Sequence, residues 1–229
     1  MLLHVSVRTV TEPTLTASRD AVAAAARRLA AEGLVLGSAG NLSARAGELV
    51  AVTPTGAVLA ELEPHQVAVV NLDGDTVHGD YAPTSELELH LGAYRRHRAG
   101  AVVHAHSPVG TALACVLDEL PLVHYQMLAL GGPIRVAPYA TFGTPELAEL
   151  TLDALEGRAA ALMANHGMIA VGPDLDAAVD NALLLEWACE LYWRAAAVGR
   201  PRTLDAGQAQ DFIDAVTARG YGALQERAE

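Results

Sequence analysis

From residue 18 onward the segment SRDAVAAAARRLAAEG sets Val22, Ala26 and Leu29 at steps of three and four, the spacing of one helix face. Thr16 or Ser18 is a candidate cap and Gly33 a candidate stop. The loop GSAGN leads into two apolar runs, LSAR at 42–45 and LVAVTP at 49–54, which predict strands. VAVVNL and TVHG flank Asp73-Gly74 and predict a β-hairpin. PTSELELHLGAYRRH, at 83–97, predicts a helix opened by Pro83 and Thr84, and AVVHAHS, at 101–107, a strand.

Helices are expected near 108–117 and 126–130, the second stopped by Gly131-Gly132, followed by a strand at 134–140 and a helix at 144–155. AALMANHGMIAVG, at 160–172, predicts a strand broken at Asn165-His166-Gly167. The longest helix covers 174–199, with Leu183, Leu184, Trp187 and Leu191 on its apolar face, and a final one covers Ala206–Arg219. Strands and helices alternate irregularly, with no repeat and no linker-like stretch. The pattern predicts one α/β domain over residues 17–229 behind an N-terminal extension at 1–16.

Composition narrows this picture. Aromatic residues make up 4% of the 229, so the core must be built from Ala, Val and Leu. A net charge of −12 argues against nucleic acid or an anionic membrane as partner. Cys115 and Cys189 lie far apart in helix-like segments without metal-ligand spacing, as expected of two buried thiols in a reducing compartment. The opening MLLHVSVRTVTEP lacks signal-peptide character and no long apolar run follows, so a soluble, cytoplasmic protein is expected. All fifteen basic residues are arginine, which excludes a lysine Schiff base.

The candidate chemistry lies in histidines. His104 and His106, two apart on an apolar strand, share one face. Each buried imidazole needs partners for two nitrogens, and a metal ion meets that demand directly. A catalytic metal site commonly has three protein ligands, and His166, at the break in a second apolar strand, is the candidate third. His90, His97, His65, His78, His4 and His124 compete, with His90 read as helix packing. Glu86 and Glu88 fall where a helix N-terminus favours negative charge.

GSAGNLSAR, TPTG, PTSELELH, VVHAHS, VHYQMLALGG, PYATFGT and NHGMIAV occur in one order along the chain. Together they resemble the class II aldolase/adducin family, most closely its L-fuculose-phosphate aldolase branch. The resemblance implies a three-layer α/β/α domain around a central mixed, largely antiparallel sheet. It implies a zinc ion (cobalt or manganese being substitutes) held by His104, His106 and His166. Glu86 matches the family's acid/base, which also touches the metal when substrate is absent.

Phosphate-binding positions match Ser38, Gly40, Asn41, Thr55, Gly56, Thr84 and Ser85, with threonine at 84 where serine is common. Phe142 matches an aldehyde-pocket residue. Tyr125 and Tyr221 match tyrosines lent to a neighbouring subunit's site, so the resemblance implies a homotetramer with sites at subunit interfaces. Implied is the reversible cleavage of a ketose 1-phosphate, L-fuculose 1-phosphate first, to dihydroxyacetone phosphate and a small aldehyde such as L-lactaldehyde. The metal acts as a Lewis acid.

Other branches share the scaffold. They include rhamnulose- and 5-deoxypentulose-phosphate aldolases, pentulose-5-phosphate 4-epimerases and methylthioribulose-1-phosphate dehydratases. The adducin-like scaffold branch has lost the metal ligands and glutamate that this chain keeps.

Overall fold

A computed structural model describes residues 12–219, with side chains from residue 15. Within these described residues nine strands form one sheet in the order β4-β3-β2-β1-β5-β9-β8-β7-β6. They are β1 (Asn41–Ala46), β2 (Leu49–Val52), β3 (Ala68–Asn71), β4 (Thr76–His78), β5 (Ala101–Ala105), β6 (Glu119–Leu120), β7 (Ile134–Ala137), β8 (Ala160–Met163) and β9 (Gly167–Gly172). Among the described residues only β7 and β8 pair in parallel, so the sheet is mixed and largely antiparallel.

Helices α1 (Glu12–Ala31), α3 (Pro108–Ala114) and α5 (Leu175–Val198) cover one face. Helices α2 (Leu87–Arg96) and α4 (Pro145–Ala154) cover the other, completing three layers. A last helix, α6 (Ala206–Arg219), buries none of its residues. Among the described residues no helix is long and apolar enough to cross a membrane.

Several expectations shift. Helix α1 starts at Glu12, so Thr16 and Ser18 lie inside it rather than at its cap. The segment expected as one broken strand is a hairpin, β8–β9, with Met163 opposite Gly167 and His166 in the turn between them. Asn165 holds the turn at φ 54°, which asparagine tolerates better than most residues. Residues 125–130 wind as a 3-10 helix, β6 adds a strand, and of the two thiols expected to be buried Cys189 is buried while Cys115 is exposed.

On α5 the buried face is Ala178, Val179, Ala182, Leu185, Ala188 and Cys189, not the bulkier set expected. Small side chains let the helix lie close to β9. Leu183 and Leu184 flank that contact, and Trp187 is 39% exposed.

Candidate active site

The ends of four antiparallel strands bring the candidate residues to one place. Asn41, at the start of β1, is the cross-strand partner of His104 near the end of β5, so the two side chains share a face. His106 follows one residue beyond β5, and the β8–β9 turn delivers His166. Close approach makes the third placement possible: a Cβ on Gly167 would stand 2.4 Å from the Ala105 carbonyl oxygen. Gly40 meets the other side of the same strand, where a Cβ would lie 2.9 Å from the His104 carbonyl oxygen.

The three imidazoles stand mutually edge-on, with ring centroids 4.8–4.9 Å apart. Their candidate ligand atoms all lie within 4.8 Å of one another, and the Nε2 atoms of His104 and His106 are 3.0 Å apart. The fully buried His104 donates Nδ1–H to the Met168 carbonyl at 2.9 Å, which turns its Nε2 lone pair inward. Burial lowers its pKa to about 3, against the pull of Glu86. Burial also lowers His106 and His166, so all three are neutral donors at ordinary pH.

Glu86 occupies the N-cap position of α2, yet its side chain makes no capping bond. It turns instead toward the imidazoles, Oε2 lying 3.2 Å from His104 Nε2 and Oε1 3.5 Å from His166 Nε2. Burial works to raise its pKa, but His104, the Asn41 hydrogen bond and His166 prevail and lower it. Oε1 is buried and accepts no hydrogen bond from any of the described residues. Three neutral imidazoles and an ionised carboxylate with a bare oxygen are a donor set suited to a divalent cation such as zinc. Glu88, by contrast, faces outward, 3.6 Å from Arg95.

A cavity of about 160 Å³ opens onto this cluster. Its lining includes Ser38, Gly40, Asn41, Thr55, Gly56, Thr84, Ser85, Glu86, His106, Phe142 and His166, and no arginine. Thr84 Oγ1 accepts the Glu86 N–H at 3.3 Å, which leaves its hydroxyl proton free to donate. Asn41 lines the cavity, but its side-chain amide is bound to Glu86 and His90.

Tyr125 is not among these residues. It stacks on Phe212 of α6 at 4.5 Å and on His124 at 4.2 Å, in a separate apolar groove of about 370 Å³. Tyr221 lies outside the described residues.

Two parts of the site escaped the sequence reading. His90, read as packing, hydrogen-bonds Asn41 and Ser43. Its signal was the spacing 86, 90, 94 on α2, one residue per turn on a single face. Glu186 of α5 accepts from Ser107 Oγ (2.6 Å) and from the N–H groups of Val109 (2.8 Å) and Gly110 (2.7 Å). It thereby caps α3 and fixes the chain just after His106. A lone carboxylate inside LLLEWA was the available clue.

Comparison with known proteins extends these observations. The family described as Class II Aldolase and Adducin N-terminal domain matches residues 20–193. A 5-methylthioribulose-1-phosphate/5-deoxyribulose-1-phosphate aldolase from Rhodospirillum rubrum is 40% identical over 209 residues, covering 90% of this chain and 94% of the relative. An L-fuculose phosphate aldolase from Escherichia coli K12 is also 40% identical, over 173 residues, covering 74% and 79%. Among solved structures, an L-fuculose 1-phosphate aldolase superposes with a TM-score of 0.84 at 32% identity, covering 88% of this chain and 96% of the other.

Proposed function

The chain belongs to the class II aldolase and adducin family, and on that premise we propose that it is a metal-dependent aldolase acting on a 5-deoxypentulose 1-phosphate. The reaction is reversible cleavage between C3 and C4, giving dihydroxyacetone phosphate and a two-carbon aldehyde. The observation that carries the aldolase reading is the bare Glu86 Oε1 beside three neutral imidazoles, at the floor of a cavity rich in hydroxyls and backbone donors.

The sequence alone put L-fuculose 1-phosphate first. The relatives reverse that order. At equal identity, the deoxyribulose-type relative aligns with 90% of this chain and the fuculose-type relative with 74%. L-Fuculose 1-phosphate stands as the second reading, supported by the 0.84 TM-score of the fuculose-type structure.

In this reading the phosphate lies among Ser38, Gly40, Thr55, Gly56, Thr84 and Ser85, with Asn41 beside them. Hydroxyls and backbone N–H groups bind it by directed donation, without a lysine or arginine. His104, His106 and His166 hold a divalent ion, zinc first, with Glu86 completing the set while substrate is absent. When bound, that ion supplies Lewis-acid polarisation of the substrate's carbonyl and neighbouring hydroxyl oxygens.

Glu86 moves the proton at C3. In the cleavage direction the C3–C4 electron pair stays on C3; the Glu86 carboxylate takes up one proton, matching the one the C4 hydroxyl gives up, and delivers it to C3. In the synthetic direction the ionised Oε1 removes that proton. The C4 hydroxyl proton leaves as the aldehyde forms and passes on through the hydroxyl of Tyr125 of a neighbouring subunit, with Tyr221 proposed as a second tyrosine serving that step. Phe142, 67% exposed at the cavity mouth, lines the path of the aldehyde. This requires an oligomer, proposed as a homotetramer, and association is supported by the groove around Tyr125, Leu184, Phe212 and Ile213, an apolar surface beside the tyrosine to be shared.

The test is release of dihydroxyacetone phosphate from 5-deoxyribulose, 5-methylthioribulose and L-fuculose 1-phosphates, before and after chelation. The 5-deoxypentulose esters should give the highest kcat/KM, and zinc should restore activity that chelation removes. A higher kcat/KM for L-fuculose 1-phosphate would overturn the substrate assignment. Full activity in metal-free protein would overturn the mechanism.

A further inference from the structure

Behind Glu86 runs a buried line of polar side chains. Tyr94 OH lies 2.6 Å from Ser43 Oγ, Ser43 Oγ 2.7 Å from His90 Nδ1, and His90 Nε2 2.5 Å from Asn41 Oδ1. Asn41 Nδ2 is 2.9 Å from Glu86 Oε2. The line exists because two periodicities match. Four residues of helix rise about 6.0 Å, and two residues of strand rise about 6.6 Å. His90 and Tyr94 on α2 therefore face Asn41 and Ser43 on β1.

The proton positions in this line are forced one after another. A carboxylate only accepts, so Asn41 presents its NH₂ to Glu86 and its Oδ1 to His90. His90 must then carry its proton on Nε2. It is fully buried, and burial lowers its pKa to about 4, so it is neutral and Nδ1 must accept. Ser43 donates to Nδ1 and in turn accepts from Tyr94. Every donor points toward Glu86.

We propose that His90 is a positioning residue that locks the Asn41 amide with its NH₂ toward Glu86, pinning Oε2 and leaving Oε1 alone to carry the proton. An amide free to turn would aim a carbonyl oxygen at the carboxylate and push it out of line. The inference rests on reading Glu86 as the proton carrier, and it assigns a separate task to each carboxylate oxygen.

Two variants and one spectrum test it. His90→Gln keeps an N–H donor near the Nε2 position, whereas His90→Phe keeps a ring without one. Turnover should fall about 10–100-fold in His90→Phe with KM nearly unchanged, and stay within about threefold of the parent in His90→Gln. In the ¹⁵N spectrum of the parent protein at neutral pH, His90 should show a protonated Nε2 and a bare Nδ1. That measurement needs no variant, so it stands even if His90→Phe fails to fold. Equal turnover in the two variants, or a proton on Nδ1, would overturn the proposal. Undiminished turnover in Glu86→Gln would instead remove the proton-carrier reading and leave the His90 spectrum as described, so the two failures are distinguishable.

Discussion

On β1 and β5, neighbouring residues face opposite sides of the sheet. Leu42, Val103 and Ala105 point toward α1, α3 and α5, into a core built of apolar side chains. Asn41, Ser43 and His104 point the other way, toward α2, and meet His90, Tyr94 and Glu86. Both sides are buried, but they are held by different forces. Apolar contact holds the first side and tolerates any side chain of fitting shape. On the second, Val102 still packs into an apolar cluster, but Asn41, Ser43 and His104 are held by directed hydrogen bonds, where removing one partner strands another at a cost of about 1–3 kcal/mol. Apolar packing supports both faces of these strands, and the polar line that serves the site is confined to one of them.

The largest test of that division is at Glu86. Glu86→Gln keeps shape and removes the base, so turnover should fall about 10²–10⁴-fold with thermal stability little changed. Mixed and reassembled with inactive Tyr125→Phe protein, it should regain activity in hybrids, where one parent supplies Glu86 and the other Tyr125. Hybrids seen by mass without activity would refute action across subunits.

Leu42→Ala should do the opposite. Leu42 is fully buried on the apolar side, so its truncation should cost about 2–5 kcal/mol in a denaturation curve. Turnover of the folded protein should stay near that of the parent. A loss of turnover without a loss of stability would break the division between the faces.

The smallest effect is in pH. His90 and His104, lowered by burial to about 4 and about 3, remain neutral in the metal-free fold while their unfolded counterparts protonate near 6.5. The unfolded chain then binds more protons, so stability is complete above about pH 6.5 and falls as pH drops. The slope is at most about 1.4 kcal/mol per pH unit for each imidazole. Denaturation of metal-free protein at pH 7, 6 and 5 should show this slope, and His90→Gln should lessen it. The same slope in both proteins would contradict it.

Much of the site was legible because its residues sit in short, ordered motifs whose local geometry is repetitive. His104 and His106 share a strand face by period alone, and Asn165-His166-Gly167 announced a backbone turn, though as a break and not as a hairpin. What stayed hidden depends on which elements pack together. His90 looks like any residue on a helix face until β1 is laid beside it. The packing face of α5 is likewise invisible until β9 is laid beside it, because the bulky stripe in its sequence is not the face that packs. Close approach to β9 favoured alanine and sent the larger residues to the flanks.

Glu186 and Trp187 are consecutive on α5 and look in different directions. Glu186 grips the start of α3, just past His106, while Trp187 meets His124 edge-on at 4.9 Å, next to Tyr125. A single residue step of helix thus joins the chain just past His106 to the outer groove like the pivot of a lever. A shift of α5 large enough to move Trp187 must also pull on three short hydrogen bonds beside the cavity. The distance between the two places is spanned by stiff helix and not by loop, so the geometry at His106 and the shape of the outer surface are set together.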